Sequence, residues 1–328
     1  MASVIIAGVG SYTPARVLTN AELSKMVDTT DEWIRSRSGI GERHIAAENE
    51  ATSDLAIQAA QRALDDAKTQ AADIDLLIVA TCTPDMPLPS TACIVQHRLG
   101  IPPHATCFDI VAACSGFLYA LEVAYGLLQT NRYKRALIIG AEKLSAFTDW
   151  SDRSTCVLFG DGAGAAVLTK VDQPGIGILG SDLGADGEFV DNLYVPNGGS
   201  RCPASSKTVE NRGHFIKMNG REVFKSAVRV METVSREMLE QHHLSPDQIN
   251  LVIPHQANIR IIESLAGSLG IPMDRVAVNL ERYGNTSSAS IPLALDEARR
   301  SGRIKPGDLT LMVAFGAGLT YGAALVRW

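Results

Sequence analysis

A repeat constrains this fold more than any other feature of the chain. Gly164-Ala165-Ala166-Val167-Leu168 returns near the C-terminus as Gly322-Ala323-Ala324-Leu325-Val326. Other elements return with it. Residues 74–80 read as a buried strand that follows a helix expected over about 53–68, which opens on a Ser-Asp cap signal. Residues 249–253 have the same apolar character and follow an amphipathic helix over roughly 220–242. Each half then offers a strand leading to a tight turn, a further helix and a closing pair of strands. The pattern is a duplicated βαβαβαββ unit with its boundary near 171–175, giving halves of 1–172 and 173–328. Alternating strands and helices predict mostly parallel, buried sheets with helices on their faces. Two such halves packed together make a layered α/β/α/β/α sandwich.

The chain is large enough for that core: 328 residues, 46% hydrophobic and 20% charged. A net charge of −6 disfavours wholesale nucleic-acid binding. No apolar run is long enough to span a membrane, and residues 1–10 read as an opening strand rather than a signal peptide. The cysteines (Cys82, Cys93, Cys107, Cys114, Cys156, Cys202) lack C-x-x-C pairing, which argues against zinc or any metal site. Unpaired thiols and no export signal suggest a cytoplasmic protein.

Cys114 stands where an apolar run, 107–113, turns into a helix beginning Ser115-Gly116-Phe117-Leu118. A thiol at a helix N-terminus is expected to favour thiolate, and the small neighbours Ala112, Ala113, Ser115 and Gly116 leave room for a substrate carbonyl. The repeat is expected to bring Asn285 beside it, because both occupy a turn entering an equivalent helix. His255, two residues past the strand 249–253, lies at the matching end of its neighbour. Alone, each has a plain alternative: an inert buried thiol, a structural imidazole, a turn asparagine. Together they fit a nucleophile with two donors for a developing oxyanion. The glycine-rich runs at 159–164 and 316–318 lead into strands and lack G-x-G-x-x-G spacing, so neither is a dinucleotide loop. Residues 195–213 read as a surface excursion near the site mouth.

Asp31-Glu32-Trp33-Ile34, Ala113-Cys114-Ser115-Gly116-Phe117, Phe159-Gly160-Asp161-Gly162-Ala163-Gly164-Ala165, Pro254-His255-Gln256-Ala257-Asn258, Tyr283-Gly284-Asn285-Thr286-Ser287 and Phe315-Gly316-Ala317-Gly318 occur in that order. Together they resemble β-ketoacyl-acyl-carrier-protein synthase III from the first strand to the final tryptophan. The resemblance implies a thiolase fold, a homodimer and a Cys114-His255-Asn285 site. The implied reaction condenses a short acyl-CoA with malonyl-acyl-carrier protein through acyl-Cys114, initiating fatty acid synthesis. It implies no permanently bound cofactor; the carrier protein brings its own phosphopantetheine.

Further roles follow from the same resemblance. The backbone N–H groups of Cys114 and Gly316 would form an oxyanion hole. Trp33 and Arg153 would sandwich the CoA adenine, Arg37 would meet a phosphate, and Asn258 the pantetheine arm or a water. Leu158, Phe159, Met218 and Phe315 would line an acyl pocket. Leu88 stands where relatives often carry a Phe that reaches into the partner subunit. Arg260, with Arg221, Lys225 and Arg229 spaced four apart on the preceding helix, would dock the acidic carrier protein. Gly267-Ser268 replace lysines common in the family, which thins that patch. Two other enzymes fit the same residues: a condensing enzyme of secondary metabolism, and a thioesterase in which water resolves the acyl-cysteine.

Overall fold

In the computed structural model, which describes residues 3–328, two large sheets stack through a layer of buried helices, with two small two-stranded sheets beside them. Met1 and Ala2, the start of the expected first strand, lie outside the described residues. The first sheet runs, edge to edge, Ser3–Tyr12, Gly162–Val171, Arg135–Glu142, Leu76–Ala80, Thr106–Ile110. The second runs Leu251–Pro254, Leu309–Gly316, Thr320–Arg327, Gly177–Ala185.

The repeat is exact in register over long stretches. Strands start at Ser3 and Gly177, at Arg135 and Leu309, and the buried helices at Gly116 and Ser290, each pair separated by 174 positions. The two halves differ at one edge. Where the first sheet carries Thr106–Ile110, the second keeps only a single parallel bridge, Val252 to Val276. The sheets are also less parallel than the alternation predicted. Among the described strands, only the pairings of Leu76–Ala80 with its two neighbours, and of Leu251–Pro254 with Leu309–Gly316, are parallel. The closing strands pair antiparallel on both sides, because each closes a hairpin or meets an N-terminal strand rather than following a crossover helix.

Side-chain alternation assigns the layers. Leu76 and Ile78 face inward to the helices Gly116–Gln129 and Ser290–Arg300, while Leu77 and Val79 face outward to the helices Thr52–Asp66 and Thr91–Leu99. In the second half Val252, Leu311 and Leu325 face outward to Gly220–Gln241 and Ile259–Leu269. The two central helices are buried on nearly every face, as a layer between two sheets must be. The result is the expected α/β/α/β/α sandwich. Its observed helices Thr52–Asp66 and Gly220–Gln241 fall within two residues of the predicted bounds. Among the described residues no helix is long and apolar enough to cross a membrane.

Candidate active site

Both central helices enter through the same device. A left-handed residue (Ala113, φ 45°; Ser287, φ 49°) opens a short 3-10 turn, Ala113–Ser115 or Ser287–Ala289, that runs directly into the helix. Cys114 is thus the middle residue of its turn, 7% exposed. By the 174-residue offset its counterpart is Ser288. Asn285 sits three residues earlier, so the two residues share a seam without being symmetry mates.

Asn285 is held across the seam between the halves. Its N–H donates to the Leu158 carbonyl (2.8 Å), and its carbonyl accepts from Gly160 N–H (3.0 Å). Gly160 must be glycine here, since a Cβ would lie 2.3 Å from the Tyr283 carbonyl oxygen. Asn285 Oδ1 accepts from Ser287 N–H (2.9 Å), which leaves the amide N–H₂ as the free end. His255 follows the strand Leu251–Pro254, its N–H donating to the Val313 carbonyl (2.8 Å) and its ring meeting Phe315 edge-on. Its Nδ1 lies 2.6 Å from Ser290 Oγ. Burial pulls its pKa down to about 3, so the ring is neutral. Where Ser290 donates to Nδ1, the ring proton sits on Nε2.

Gly316, ending its strand, presses on the head of the Gly116–Gln129 helix. A Cβ there would lie 2.6 Å from the Cys114 amide nitrogen and 3.1 Å from that of Ser115. Cys114, His255, Asn285 and Gly316 share one cavity of about 80 Å³. A second cavity of about 440 Å³ continues beyond Cys114, bordered by Cys82, Leu144, Phe147, Phe159, Leu193 and Ile216 among others.

One expectation needs correction, and a second divides between two cavities. The first is the thiolate: burial pushes the Cys114 thiol up to about 12, outweighing the favourable influence of the Ser287 side chain and the backbone N–H. The resting pair is a neutral thiol and a neutral imidazole. The second is the pocket lining. Phe159 borders both cavities, but Leu158, Met218 and Phe315 line the one that holds His255 and Asn285. Leu88 borders neither; the loop leaving the strand Leu76–Ala80 turns its side chain outward, 85% exposed.

At the surface, the Trp33 ring lies between two guanidinium groups, with Cζ of Arg153 at 4.8 Å and of Arg37 at 5.0 Å from its centroid. Arg153 is tied to the Asp28 carbonyl (2.8 Å). Asn258 borders the smaller cavity but has structural duties: it caps the helix Ile259–Leu269 through Arg260 N–H and donates to the Arg37 carbonyl. Arg260 reaches the Ser36 carbonyl (2.7 Å). Arg221, Lys225 and Arg229 are exposed along one helix, Lys225 paired with Glu222. Among the described residues no group of His, Cys, Asp and Glu is arranged to hold a metal ion.

Sequence reasoning missed Glu142, Ser287 and Ser290. The signal for Glu142 was available: an acid closing the wholly apolar run Ala136–Ala141 is either exposed or chemically employed, and it is fully buried. The serines gave none, because Thr286-Ser287-Ser288-Ala289-Ser290 has the composition of any turn.

A buried thiol, imidazole and carboxamide on the seam of a duplicated five-layer fold define the class of thiolase-like condensing enzymes. Comparison with known proteins narrows this. Residues 108–187 match the family model described as 3-Oxoacyl-[acyl-carrier-protein (ACP)] synthase III, and residues 239–328 match that of its C-terminal part. The chain is 56% identical over 323 residues to the Beta-ketoacyl-[acyl-carrier-protein] synthase III of Caldanaerobacter subterraneus subsp. tengcongensis, covering 98% of this chain and 97% of that protein. It is 53% identical to the same enzyme of Clostridioides difficile, covering 98% of each. The crystal structure of 3-oxoacyl-[acyl-carrier-protein] synthase III from Aquifex aeolicus superposes with a TM-score of 0.92 at 49% identity, covering 100% of both chains. The chain belongs to the β-ketoacyl-[acyl-carrier-protein] synthase III family of acyltransferases.

Proposed function

We propose that this enzyme initiates fatty acid synthesis by condensing an acyl-CoA with malonyl-acyl-carrier protein, using Cys114, His255 and Asn285. The observation that carries the assignment of residues is their shared cavity, with Gly316 packed against the Cys114 amide.

Cys114 Sγ attacks the acyl-CoA thioester carbon as its proton passes to the departing CoA sulfur, and the acyl group becomes a thioester on the enzyme. The N–H groups of Cys114 and Gly316 stabilise the tetrahedral oxyanion. The larger cavity beyond Cys114, lined mainly by apolar side chains, takes the acyl chain. Malonyl-carrier protein then enters on the His255 side. His255 Nε2–H and the Asn285 amide donate to its thioester oxygen while the C–CO₂ bond breaks and the electron pair becomes an enolate. Two neutral donors in a dry cavity contribute roughly 10²–10³ in rate each. The enolate carbon attacks acyl-Cys114, giving β-ketoacyl-carrier protein and CO₂ and returning the thiolate, which is reprotonated.

Trp33, Arg37 and Arg153 form the CoA end of the entrance, with Asn258 beside the pantetheine path. Adenine stacking requires Arg153 to swing off the Trp33 ring, and its exposed position permits that. Arg260, Arg221, Lys225 and Arg229 form the carrier-docking face. The working enzyme is a homodimer of two-half subunits (1–172 and 173–328), in the cytoplasm. Supporting the dimer, the strand Thr106–Ile110 is an unpaired sheet edge, Val111 at its end is 75% exposed at the rim of the larger cavity, and Leu88 on a neighbouring loop is 85% exposed.

The test uses radiolabelled acetyl-CoA on the parent and Cys114→Ala, with malonyl decarboxylation measured separately on His255→Ala and Asn285→Ala. Label is expected on the parent only, and the other two variants lose decarboxylation while still accepting the acetyl group. Covalent label on Cys114→Ala, or equal loss of both half-reactions, defeats the assignment.

A further inference from the structure

Glu142 ends the strand Arg135–Glu142 as a fully buried carboxyl beside the reacting sulfur. Among the described residues no cation pairs with it. Its neighbour Lys143 turns away, donating from Nζ to the carbonyls of Ala47 (2.8 Å) and Glu50 (2.5 Å). The carboxyl is instead ringed by polar groups from both halves. Thr83 (2.7 Å) and Thr81 (3.3 Å) meet Oε2; Ser288 (2.9 Å) and Ser287 (3.1 Å) meet Oε1; the Cys82 N–H and thiol reach both oxygens.

A proton count bears on its state. Ser288 has one hydroxyl hydrogen and two acceptors within reach, the Ala80 carbonyl at 2.8 Å and Glu142 Oε1 at 2.9 Å. A carbonyl has no proton to give. Where Ser288 donates to Ala80, the contact with Oε1 is completed by a proton on the carboxyl, donated to Ser288. Burial acts in the same direction, raising the Glu142 pKa.

The consequence runs through Ser287. Its Oγ meets Glu142 Oε1 (3.1 Å) and acts on the neighbouring Cys114 thiol, and its N–H holds Asn285 Oδ1. An ionised carboxylate would bind the Ser287 proton strongly and turn a negative charge on the sulfur. A neutral one lets that hydroxyl rotate and donate to sulfur as the thiol loses its proton.

We infer that Glu142 is a positioning residue for the condensation: a proton-bearing carboxyl that seats Ser287, freeing its hydroxyl for Cys114 and fixing the aim of the Asn285 amide. The inference rests on the roles proposed above for Cys114 and Asn285.

Glu142→Gln, Glu142→Ala and Ser287→Gly test it; glycine suits the left-handed backbone at 287, so this variant reports even if the alanine variant fails to fold. Each is assayed for Cys114 acylation by intact mass and for malonyl decarboxylation, and the parent and Glu142→Gln are compared by infrared difference spectroscopy. Losing a hydrogen bond to a charged group costs about tenfold or more. Acylation is therefore expected to fall that far in Ser287→Gly and Glu142→Ala. Glutamine, which donates to Ser288 as the acid does, restores acylation to within about threefold of the parent, the scale of a neutral hydrogen bond. The parent shows the carbonyl band of a protonated acid, which the glutamine variant lacks. Absence of that band, acylation as slow in Glu142→Gln as in Glu142→Ala, or unimpaired acylation in Ser287→Gly overturns the inference. The infrared band reports on Glu142 whatever Cys114 does, so its failure is distinct from label remaining on Cys114→Ala.

Discussion

Replacing Gly316 by alanine puts one methyl group where the reaction needs empty space. The added Cβ would stand 2.6 Å from the Cys114 amide nitrogen, 3.1 Å from that of Ser115 and 3.2 Å from Thr320 Oγ1. Two of these are backbone atoms at the head of a buried helix, so the neighbours have little freedom to yield. The methyl then covers the Cys114 N–H, one of two donors proposed to meet the tetrahedral oxyanion. Losing one such donor costs about 2.7–4 kcal/mol, roughly 10²–10³ in rate. Overpacking adds about 1–3 kcal/mol of destabilisation, enough to lower Tm without unfolding a chain of this size. The assay is single-turnover acylation of Cys114 from acyl-CoA, followed by intact mass, beside malonyl decarboxylation and a thermal melt. Acylation is expected to fall at least about 10²-fold. Decarboxylation should be nearly spared, because its enolate faces His255 and Asn285 instead. Acylation at the parental rate in a folded Gly316→Ala protein would refute the oxyanion-hole geometry; equal loss of both half-reactions would point to a general collapse of the site.

Two other perturbations check separate parts of the reasoning. With the Cys114 thiol pushed up to about 12, its alkylation by iodoacetamide in the free enzyme should rise about tenfold per pH unit from 7 to 9. The thiolate is the minor form throughout that range, so a plateau near pH 8.5 would mean that burial does not govern the sulfur. Trp33→Ala removes the ring between Arg37 and Arg153. Stacking of a base on an aromatic ring contributes about 1–3 kcal/mol, so KM for acyl-CoA should rise roughly 5–150-fold while kcat changes little. An unchanged KM would place the adenine elsewhere.

The duplication was legible because it is written in local patterns. Gly164–Leu168 and Gly322–Val326 rhyme in composition, and the apolar runs at 74–80 and 249–253 can bury themselves only as central strands. Strand direction was harder to read: a closing strand and a crossover strand look alike along the chain, and only pairing decides between them. The positions of Cys114, His255 and Asn285 at strand and helix ends were readable for the same local reason. Their roles rested on family likeness, since no spacing along a chain states what faces what.

The sequence by itself determined the two-sheet sandwich, its duplication, and the order of its strands and helices. Those follow from periodicity, a property each segment carries alone. Tertiary structure decided the chemistry's surroundings. It buried the thiol until desolvation outweighed the groups that favour thiolate, and it tied the imidazole Nδ1 to Ser290, 35 residues away. It also enclosed Glu142 with hydroxyls drawn from both halves. Desolvation and hydrogen-bond pairing depend on everything within a few ångströms, and the packing of distant segments alone settles what that is.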